Sequence, residues 1–522
     1  MESDPIQYAL ISLEMSWTKS FLHVYEQGHD YLDKPPLLFW LSSLSFLTFG
    51  VSNFSYKLPS LLIALLGIYS TYRFSKLYYS KEKSIAAALI LASTQALYLM
   101  TNDVRTDTNL LGLTIFSVWQ IAEYLHNPKF KYLLLSGLGI GFAMMAKGPI
   151  ALVIPAAAFG TEFLVKRQWK NILKPQWILL LLIVAISLLP MCYGLYTQFD
   201  LHPEKFVYGL QGPSGLKFFF WIQSFGRITG ENYWQNDTGY TFFFQTILWD
   251  FQPWMLFFIP ALAKRIWTLI KHKFRAENNL EYITLGGFVL MFIALSLSRF
   301  KLPHYIFVLF PFAAIITADF IFELKEKWLN RFSKIQFGLM HLFWIGLIVL
   351  FTLVFPIKSI ILPILSVILF IVFWFVFVKL NNNKTEQIIT ATLMTSFAFN
   401  VMLSLHFYPN LLSYQSGSQV GKFVKENNIS NDKFYHLEHP NQATDFYVER
   451  FTPSVSIDNL EDLEKGSWIV TSEDGLKKIR EKNINVKIIQ TFDSFRVSQL
   501  NLDFLNKNTR ENTIKTVYIL EI

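Results

Sequence analysis

The sequence predicts an α-helical, polytopic membrane protein that ends in a small α/β domain. Of its 522 residues, 52% are hydrophobic and 17% aromatic, only 16% are charged, and the mean hydropathy is +0.33. An ordinary soluble domain carries about 25% charged residues. Apolar runs of about 20 residues, the length needed to cross a bilayer, recur along most of the chain. These observations exclude an ordinary soluble enzyme.

The apolar runs predict about twelve membrane spans. Several contain Gly or Pro, which membrane helices tolerate. The run 36–50 is apolar but short, and it is interpreted as an interfacial helix. The expected spans are 59–78, 84–100, 108–126, 131–147, 149–165, 174–197, 253–271, 281–298, 303–323, 335–356, 358–379 and 387–405.

The pattern changes after residue 410. Stretches such as SWIVTSEDGLKKIREKNINVKIIQTF alternate short apolar runs with charged, helical ones. The sequence therefore predicts a membrane domain over residues 1–410 and a soluble α/β domain over 411–522. The single Cys192 lies in an apolar run and excludes a disulfide framework.

Lys and Arg concentrate in the connections that follow odd-numbered spans, which the positive-inside rule assigns to the cytoplasm. The opposite, outer side then holds residues 1–58, the loop 198–252 and the C-terminal domain. The net charge of +8 reflects this topology, so no nucleic-acid partner is expected.

Ionisable residues also cluster at the outer ends of the predicted spans. Charges at membrane depth are costly, and they are candidates for function. Near the outer boundary, Lys and Arg can hold a phosphate, and a carboxylate can accept a proton from an attacking hydroxyl. A lipid-linked phosphosugar would use both. The candidates are Asp4, Asp33 and Lys34, Asp103, Arg105 and Asp107 in NDVRTD, Lys147 in AKGP, Arg227 in the long outer loop, and Arg299, Lys301 and His304 in SRFKLPHY.

Each candidate also has a purely structural interpretation. Asp4 can cap a helix, and Asp33 with Lys34 can form an ion pair at a turn before two prolines. Lys147 can extend its side chain to the interface, as lysines near helix ends do. Lys301 can anchor a helix entry, and His406 can belong to an interfacial belt beside Tyr408.

Several segments, in order, resemble glycosyltransferase family 39. They are DPIQYALISLEM, YLDKPPLLFWLSSLSFLTFGVSNFSYKLPSLL, AKGPIALVIP, RITG and KLPHYIFVLFP. The resemblance covers roughly residues 3–410. That family includes protein O-mannosyltransferases and lipid A aminoarabinose transferases. It implies the GT-C fold and inverting transfer of a sugar from a polyprenyl-phosphate donor, with no nucleotide cofactor.

The resemblance also implies roles for single residues. Asp4 matches the family's catalytic aspartate, and Asp107 takes the second acidic position. Lys34 and Arg227 would contact the lipid phosphate, and Lys301 is placed beside them. Asp33 and His406 would be the ligands of a divalent metal ion, if the reaction uses one.

Family members carry a further span before the catalytic loop, whereas this sequence opens directly at that loop. Three functions stay open at this point. The first is a transferase at the periplasmic face of a bacterial inner membrane, acting on lipid A, a glycan or a protein. The second is a lipid or sugar flippase, and the third is a catalytically degenerate protein that only binds a lipid-linked sugar.

Overall fold

The computed structural model describes residues 4–224, 226–229, 231, 236, 238–277, 280–357, 359–379, 383–438 and 441–522, without the side chains of 227–228 and 377–379. Contacts divide the chain into two compact units. The larger unit contains Thr18–His341 and Val372–Phe397. The smaller contains Met1–Trp17, Leu342–Ile371 and Ala398–Ile522. The expected boundary at residue 410 stays a prediction.

Helices make up most of both units. In the first part of the chain they are α1 (Asp4–Thr18), α2 (Leu37–Phe49), α3 (Asn53–Tyr78), α4 (Lys81–Ala92), α5 (Gln95–Asn102), α6 (Thr106–His126), α7 (Phe130–Lys147), α8 (Ile150–Val165), α9 (Trp169–Ile172), α10 (Gln176–Leu195), α11 (Gly215–Lys217), α12 (Gly226–Thr229) and α13 (Phe242–Asp250). They continue with α14 (Met255–Lys271), α15 (Ile283–Ser296), α16 (Phe310–Glu323), α17 (Glu326–Val349), α18 (Ile361–Lys379), α19 (Lys384–Met402), α20 (Tyr408–Leu412), α21 (Ser416–Glu426), α22 (Gln442–Val448), α23 (Glu473–Glu481) and α24 (Leu502–Leu505). A 3-10 segment, Pro303–Leu309, leads into α16.

Every expected span overlaps one of these helices, and the expected interfacial run forms α2. By length and hydropathy, the described residues contain five helices able to cross a membrane, or six if a bent pair counts as one span. The five are Phe130–Lys147, Trp169–Asp200, Pro303–Glu323, Glu326–Val354 and Lys384–Leu412. The other expected spans are helices that are shorter or less uniformly apolar than this criterion requires.

The expected second span, 84–100, is not one continuous helix. It consists of α4 and α5, which are bent by 52° at their junction. The junction is stabilised by hydrogen bonds from other parts of the chain. Trp254 Nε1 donates to Ser93 Oγ over 2.8 Å, and Gln95 N donates to the Gln252 carbonyl over 2.9 Å. These partners replace helical hydrogen bonds that the break removes, which is how broken helices are tolerated in membranes.

Close packing in the larger unit depends on small residues where helices cross. At Gly112 of α6, a Cβ atom would lie 2.2 Å from the Ile63 carbonyl oxygen of α3. Any side chain there would push the two helices apart. Small residues at such crossings let membrane helices pack by direct backbone approach.

The N-terminal segment differs from its expected loop conformation. Asp4–Thr18 is helical, and most of its side chains are buried within the smaller unit. The run YALIS is apolar on all sides, which favours a buried helix over a solvated loop. Trp17 packs edge-on against Phe451, with ring centroids 5.5 Å apart.

The C-terminal residues form the expected α/β arrangement. Five strands, β5 (Phe434–Leu437), β6 (Ser454–Val455), β7 (Trp468–Ser472), β8 (Lys487–Ser494) and β9 (Lys515–Glu521), are ordered β6-β5-β7-β9-β8. They follow the hairpins β1–β2 (Tyr25–Glu26, His29–Asp30) and β3–β4 (Phe206–Val207, Leu210–Gln211). Strand β5 is parallel to β6 and β7, and β9 is antiparallel to β7 and β8. Two separate clusters of buried apolar side chains are built around this sheet.

Candidate functional site

A buried group of charges lies in the larger unit, where α6 and Pro303–Leu309 begin and α7 ends. Asp107 is in the first turn of α6, and its residue is only 3% exposed. Carboxylates near a helix N-terminus interact favourably with the helix dipole. Lys147 Nζ donates a hydrogen bond to Asp107 Oδ1. The pair is thus a buried, hydrogen-bonded salt bridge.

Lys147 reaches this position because α7 stops at it. The next residue, Gly148, has φ 103°, a conformation that L side chains rarely adopt, and it ends the helix. The Lys147 ammonium also lies 3.8 Å from the centroid of the Tyr305 ring. Cations over aromatic faces are attracted by the ring quadrupole. The ammonium is therefore held between a carboxylate and a phenol ring.

His304 completes the group. Its Nε2 lies 3.7 Å from Asp107 Oδ2, beyond hydrogen-bond distance, and its side chain is 14% exposed. The imidazole packs edge-on against Tyr305, with ring centroids 5.1 Å apart. Asp107 thus has one oxygen bonded to Lys147 and a second oxygen facing an imidazole across a gap.

Asp33 and Lys34 form a second polar group in the same unit. Lys34 Nζ donates to Asp33 Oδ2 over 2.5 Å. Gln223 Nε2 donates to both Asp33 Oδ1 and the Asp33 carbonyl, each over 2.5 Å. These residues line a small cavity of about 20 Å³ together with Leu32 and Phe218. Lys34 contributes to the electrostatic environment of His304.

Lys301 is buried against the outer loop rather than exposed at the boundary. Its Nζ donates to the Thr238 carbonyl over 3.0 Å. Its backbone is joined to the Asn236 side chain by two hydrogen bonds, of 3.1 and 2.7 Å. Within the described residues no carboxylate forms an ion pair with Lys301. Its charge is available to an anion that approaches this loop.

For three expected site residues, the structure gives a position in the fold but does not test the expected role. Asp4 is the first residue of α1 in the smaller unit. His406, also in the smaller unit, lies in a π-helical turn and donates from Nε2 to the Phe355 carbonyl over 2.7 Å. Arg227 lies in α12, and its side chain is outside the described residues. The roles assigned to these residues stay predictions.

The two expected metal ligands, Asp33 and His406, belong to different units. Asp33 is already bonded to Lys34 and Gln223, and His406 to a backbone carbonyl. Across the part of the chain that is described, no group of three or more His, Cys, Asp or Glu residues could hold a metal ion. A protein site with two ligands would be sparse. The metal-binding role of Asp33 and His406 therefore stays a prediction.

Sequence reasoning missed the residues that orient these charges. Gln223 and Asn236 are neutral amides in a loop, and nothing in their spacing distinguishes them from solvated polar residues. Tyr305 was read as part of an apolar run. A signal did exist for Tyr305, because it directly follows His304 in SRFKLPHY, a segment whose charged residues are already candidates.

Residues 33–193 match the family described as dolichyl-phosphate-mannose-protein mannosyltransferase. The match confirms the resemblance to glycosyltransferase family 39 over these residues, which make up about a third of the chain.

Curated relatives extend the match. The chain is 24% identical over 332 residues to the undecaprenyl phosphate-alpha-4-amino-4-deoxy-L-arabinose arabinosyl transferase of Edwardsiella ictaluri, covering 62% of this chain and 56% of the relative. It is 25% identical over 342 residues to the protein of the same name from Wigglesworthia glossinidia brevipalpis, covering 64% and 57%. The chain thus spans little more than half the length of these relatives.

The solved structure of ArnT from Cupriavidus metallidurans bound to undecaprenyl phosphate has the same fold. It superposes with a TM-score of 0.73 at 15% identity, covering 99% of this chain and 93% of that one. The apo structure of the same protein gives a TM-score of 0.74. The expected GT-C fold is confirmed, and the chain is a multi-pass membrane protein.

Proposed function

We propose that this protein is an inverting glycosyltransferase that moves a sugar from a polyprenyl-phosphate donor to a lipid, glycan or protein acceptor. The observation that carries the proposal is the buried group of Asp107, Lys147 and His304 within electrostatic reach of Lys34. The group combines cations that can bind a phosphate with a carboxylate that can accept a proton from a hydroxyl group. The names of the relatives make undecaprenyl-phosphate-linked aminoarabinose the first donor to test, and lipid A the first acceptor.

The proposed reaction exchanges one bond at C1 of the donor sugar. The acceptor oxygen forms a bond to C1 as the bond from C1 to the phosphate oxygen breaks. The leaving polyprenyl phosphate gains negative charge, which Lys34, Arg227 and Lys301 neutralise. Positioned cations that act on developing charge are often the largest catalytic contribution.

The acceptor hydroxyl also loses a proton. Asp4 takes this proton in the mechanism that the family resemblance implies, or orients the acceptor when that group is already ionised. Asp107 Oδ2 is the alternative base, because it faces His304 at 3.7 Å instead of being closed by a hydrogen bond. General-base catalysis of this kind contributes about 10²–10⁴-fold.

We further propose that the site faces the periplasm of a bacterial inner membrane. The excess of Lys and Arg in the opposite connections supports this orientation. A flippase is not favoured, because transporters hold their charged sites near the membrane midplane between repeats. In this chain the charges of the candidate site lie at helix ends.

The test is release of free undecaprenyl phosphate from undecaprenyl-phosphate sugars by the full chain in detergent, with lipid A present. Release that is lost in Asp4→Asn, while Asp458→Asn is unaffected, would support the transferase and the implied base. Donor binding without release, with and without acceptor, would instead support the degenerate binder. Transport of the donor across proteoliposomes without release would support a flippase.

A further inference from the structure

A large polar cavity lies away from the candidate site, in the same unit. It has a volume of about 550 Å³ and is enclosed by the turn between α3 and α4, the second half of α14 and the end of α16. Small-ligand pockets usually measure about 300–1,000 Å³. The lining contains none of Lys34, Asp107, Lys147 or His304. The cavity is thus a separate feature that the transfer reaction does not explain.

Its inner wall is an ion network centred on Asp319. Lys83 Nζ donates to Asp319 Oδ1 and Arg265 Nη2 donates to Asp319 Oδ2, each over 2.6 Å. Arg265 also donates to the Tyr79 hydroxyl over 2.7 Å, and that hydroxyl donates to the buried Glu281 over 2.5 Å. The inner wall is therefore rigid, and its charges are balanced.

The mouth of the cavity is built differently. Lys264 Nζ donates to Glu323 Oε2 over 2.7 Å, and the two side chains are 52% and 39% exposed. Exposed ion pairs contribute only about 0–1 kcal/mol, so a ligand can separate them at little cost. Glu277 adds a further carboxylate to the lining. A ligand therefore meets one exposed cation and two carboxylates near the mouth.

The balance of charge selects the ligand. The lining holds three cations and three carboxylates: Lys83, Lys264 and Arg265 against Glu277, Asp319 and Glu323. A purely anionic ligand would satisfy the cations but would be repelled by the carboxylates. A ligand that carries both a phosphate and an ammonium group satisfies both kinds of partner. Charge-assisted hydrogen bonds to such groups are the strong ones.

The surrounding surface places this cavity at the level of lipid headgroups. Trp267 on α14 and Trp328 on α17 are 67% and 50% exposed, and they flank the elements that carry Lys264 and Glu323. Trp is enriched at membrane–water interfaces because one side of its ring is apolar and the other polar. The neighbouring connections are also the basic ones that the sequence assigns to the cytoplasmic side.

We propose that this cavity binds the zwitterionic headgroup of a membrane phospholipid, namely a phosphodiester that carries a primary ammonium group. The phosphate is held by Lys264, the cation whose ion pair at the mouth is exposed. The ammonium group is held by Glu323 and Glu277 at the mouth. The proposal is independent of the transfer reaction and of the donor lipid, which concern the other end of the helices.

The test measures binding of short-chain phospholipids to the delipidated full chain in detergent, by native mass spectrometry or calorimetry. Dihexanoyl phosphatidylethanolamine should bind at least fivefold more tightly than dihexanoyl phosphatidylglycerol. Lys264→Met should weaken both lipids about tenfold. Glu323→Gln should remove the preference for the ethanolamine lipid and leave the glycerol lipid unchanged or tighter. Both residues are exposed, so both variants should fold.

Lys131→Met is the matched control, because Lys131 is an exposed lysine of the same predicted face outside the cavity. Equal binding of the two lipids by the unmodified chain would overturn the proposal. So would unchanged binding in both Lys264→Met and Glu323→Gln. Binding of two water-soluble compounds, glycerophosphoethanolamine and inorganic phosphate, is measured in the same way. If either binds as tightly as the lipid, the ligand is a soluble phosphate compound, and the lipid proposal is overturned.

Discussion

Two buried carboxylates are bonded in opposite ways: Asp107 of α6 lies beside the start of the segment Pro303–Glu323, and Asp319 lies near its end. At its start, Asp107 is bonded by Lys147 on one oxygen, and its other oxygen faces His304 at 3.7 Å. At its far end, Asp319 is bonded on both oxygens, by Lys83 and Arg265. A carboxylate closed on both sides can only stabilise, whereas one with an accessible oxygen can also react. We therefore assign the Asp107 end to the reaction and the Asp319 end, with Lys83 and Arg265, to a structural clamp.

The largest expected effect is on the Asp107 end. Lys147→Met removes the cation from the Asp107 carboxylate and should reduce sugar transfer about 10²–10³-fold, the usual effect of losing one group that stabilises the transition state. Transfer is measured as undecaprenyl phosphate released per folded protein, with the folded fraction taken from size exclusion. Lys131→Met should retain full activity. Transfer within threefold of the unmodified chain in Lys147→Met would remove this group from the mechanism.

The Asp319 end should respond in stability instead. Asp319→Asn leaves Arg265 and Lys83 without their ionised partner and should cost about 3 kcal/mol, since breaking a buried pair strands a buried charge. The thermal midpoint in detergent should fall by several degrees, and activity per folded molecule should stay within threefold. A variant of normal stability but little activity would reverse the assignment of the two ends.

A third carboxyl, Asp250, has no ion pair with a cation among the described residues, and it extends the comparison. It ends α13 and is buried, and its Oδ2 has no hydrogen-bond partner among the described residues. Burial raises the pKa of Asp250 to about 7. The unfolded carboxyl ionises at about pH 4, whereas the folded one ionises only at about pH 7. The free energy of unfolding therefore falls as the pH rises from about 4 to about 7.

Asp250→Asn removes this ionisation. The free energy of unfolding of the variant, taken relative to that of the unmodified chain, should be about 1–3 kcal/mol higher at pH 8 than at pH 5. Thermal midpoints of both proteins at the two pH values give the difference. Parallel pH dependences would mean that Asp250 finds a partner when it ionises.

The smallest effect is expected at the exposed pair of Lys264 and Glu323. Lys264→Met should change the free energy of unfolding by less than about 1 kcal/mol, because exposed ion pairs contribute little. It should also leave sugar transfer intact. A destabilisation as large as that of Asp319→Asn would make the cavity mouth part of the clamp, and its lysine would not be free to meet a ligand.

The positions of the helices could be predicted from the sequence because apolar length is a local property. The bend between α4 and α5 could not, since it depends on Trp254 and Gln252, which are remote in sequence. Similarly, the clustering of charges at one side predicted Asp107, Lys147 and His304 as candidates. Their pairing could not be predicted, because it depends on how α6, α7 and Pro303–Leu309 pack against one another. The cavity at the opposite end could not be predicted, because basic residues such as Lys83 and Lys264 are explained equally well by the positive-inside rule.

The family resemblance supplied roles that geometry leaves as predictions. Asp4 and His406 belong to the smaller unit, and the Arg227 side chain lies outside the described residues. The assignments of Asp4 and Arg227 therefore depend on the matched motifs alone, and that of His406 on its position at the end of the last expected span. Lys34, by contrast, has both the motif and an electrostatic contribution at His304.

The most direct measurement compares Asp107→Asn with Asp319→Asn in one assay of undecaprenyl phosphate release, normalised to folded protein. The two substitutions remove the same charge at the two ends of one segment. We predict that Asp107→Asn loses at least 100-fold of the release, because it removes the carboxylate that holds Lys147 and that can serve as the alternative base, and that Asp319→Asn keeps more than a third of it. Equal losses in the two variants, or full release by Asp107→Asn, would contradict the assignment of the chemistry to the Asp107 end.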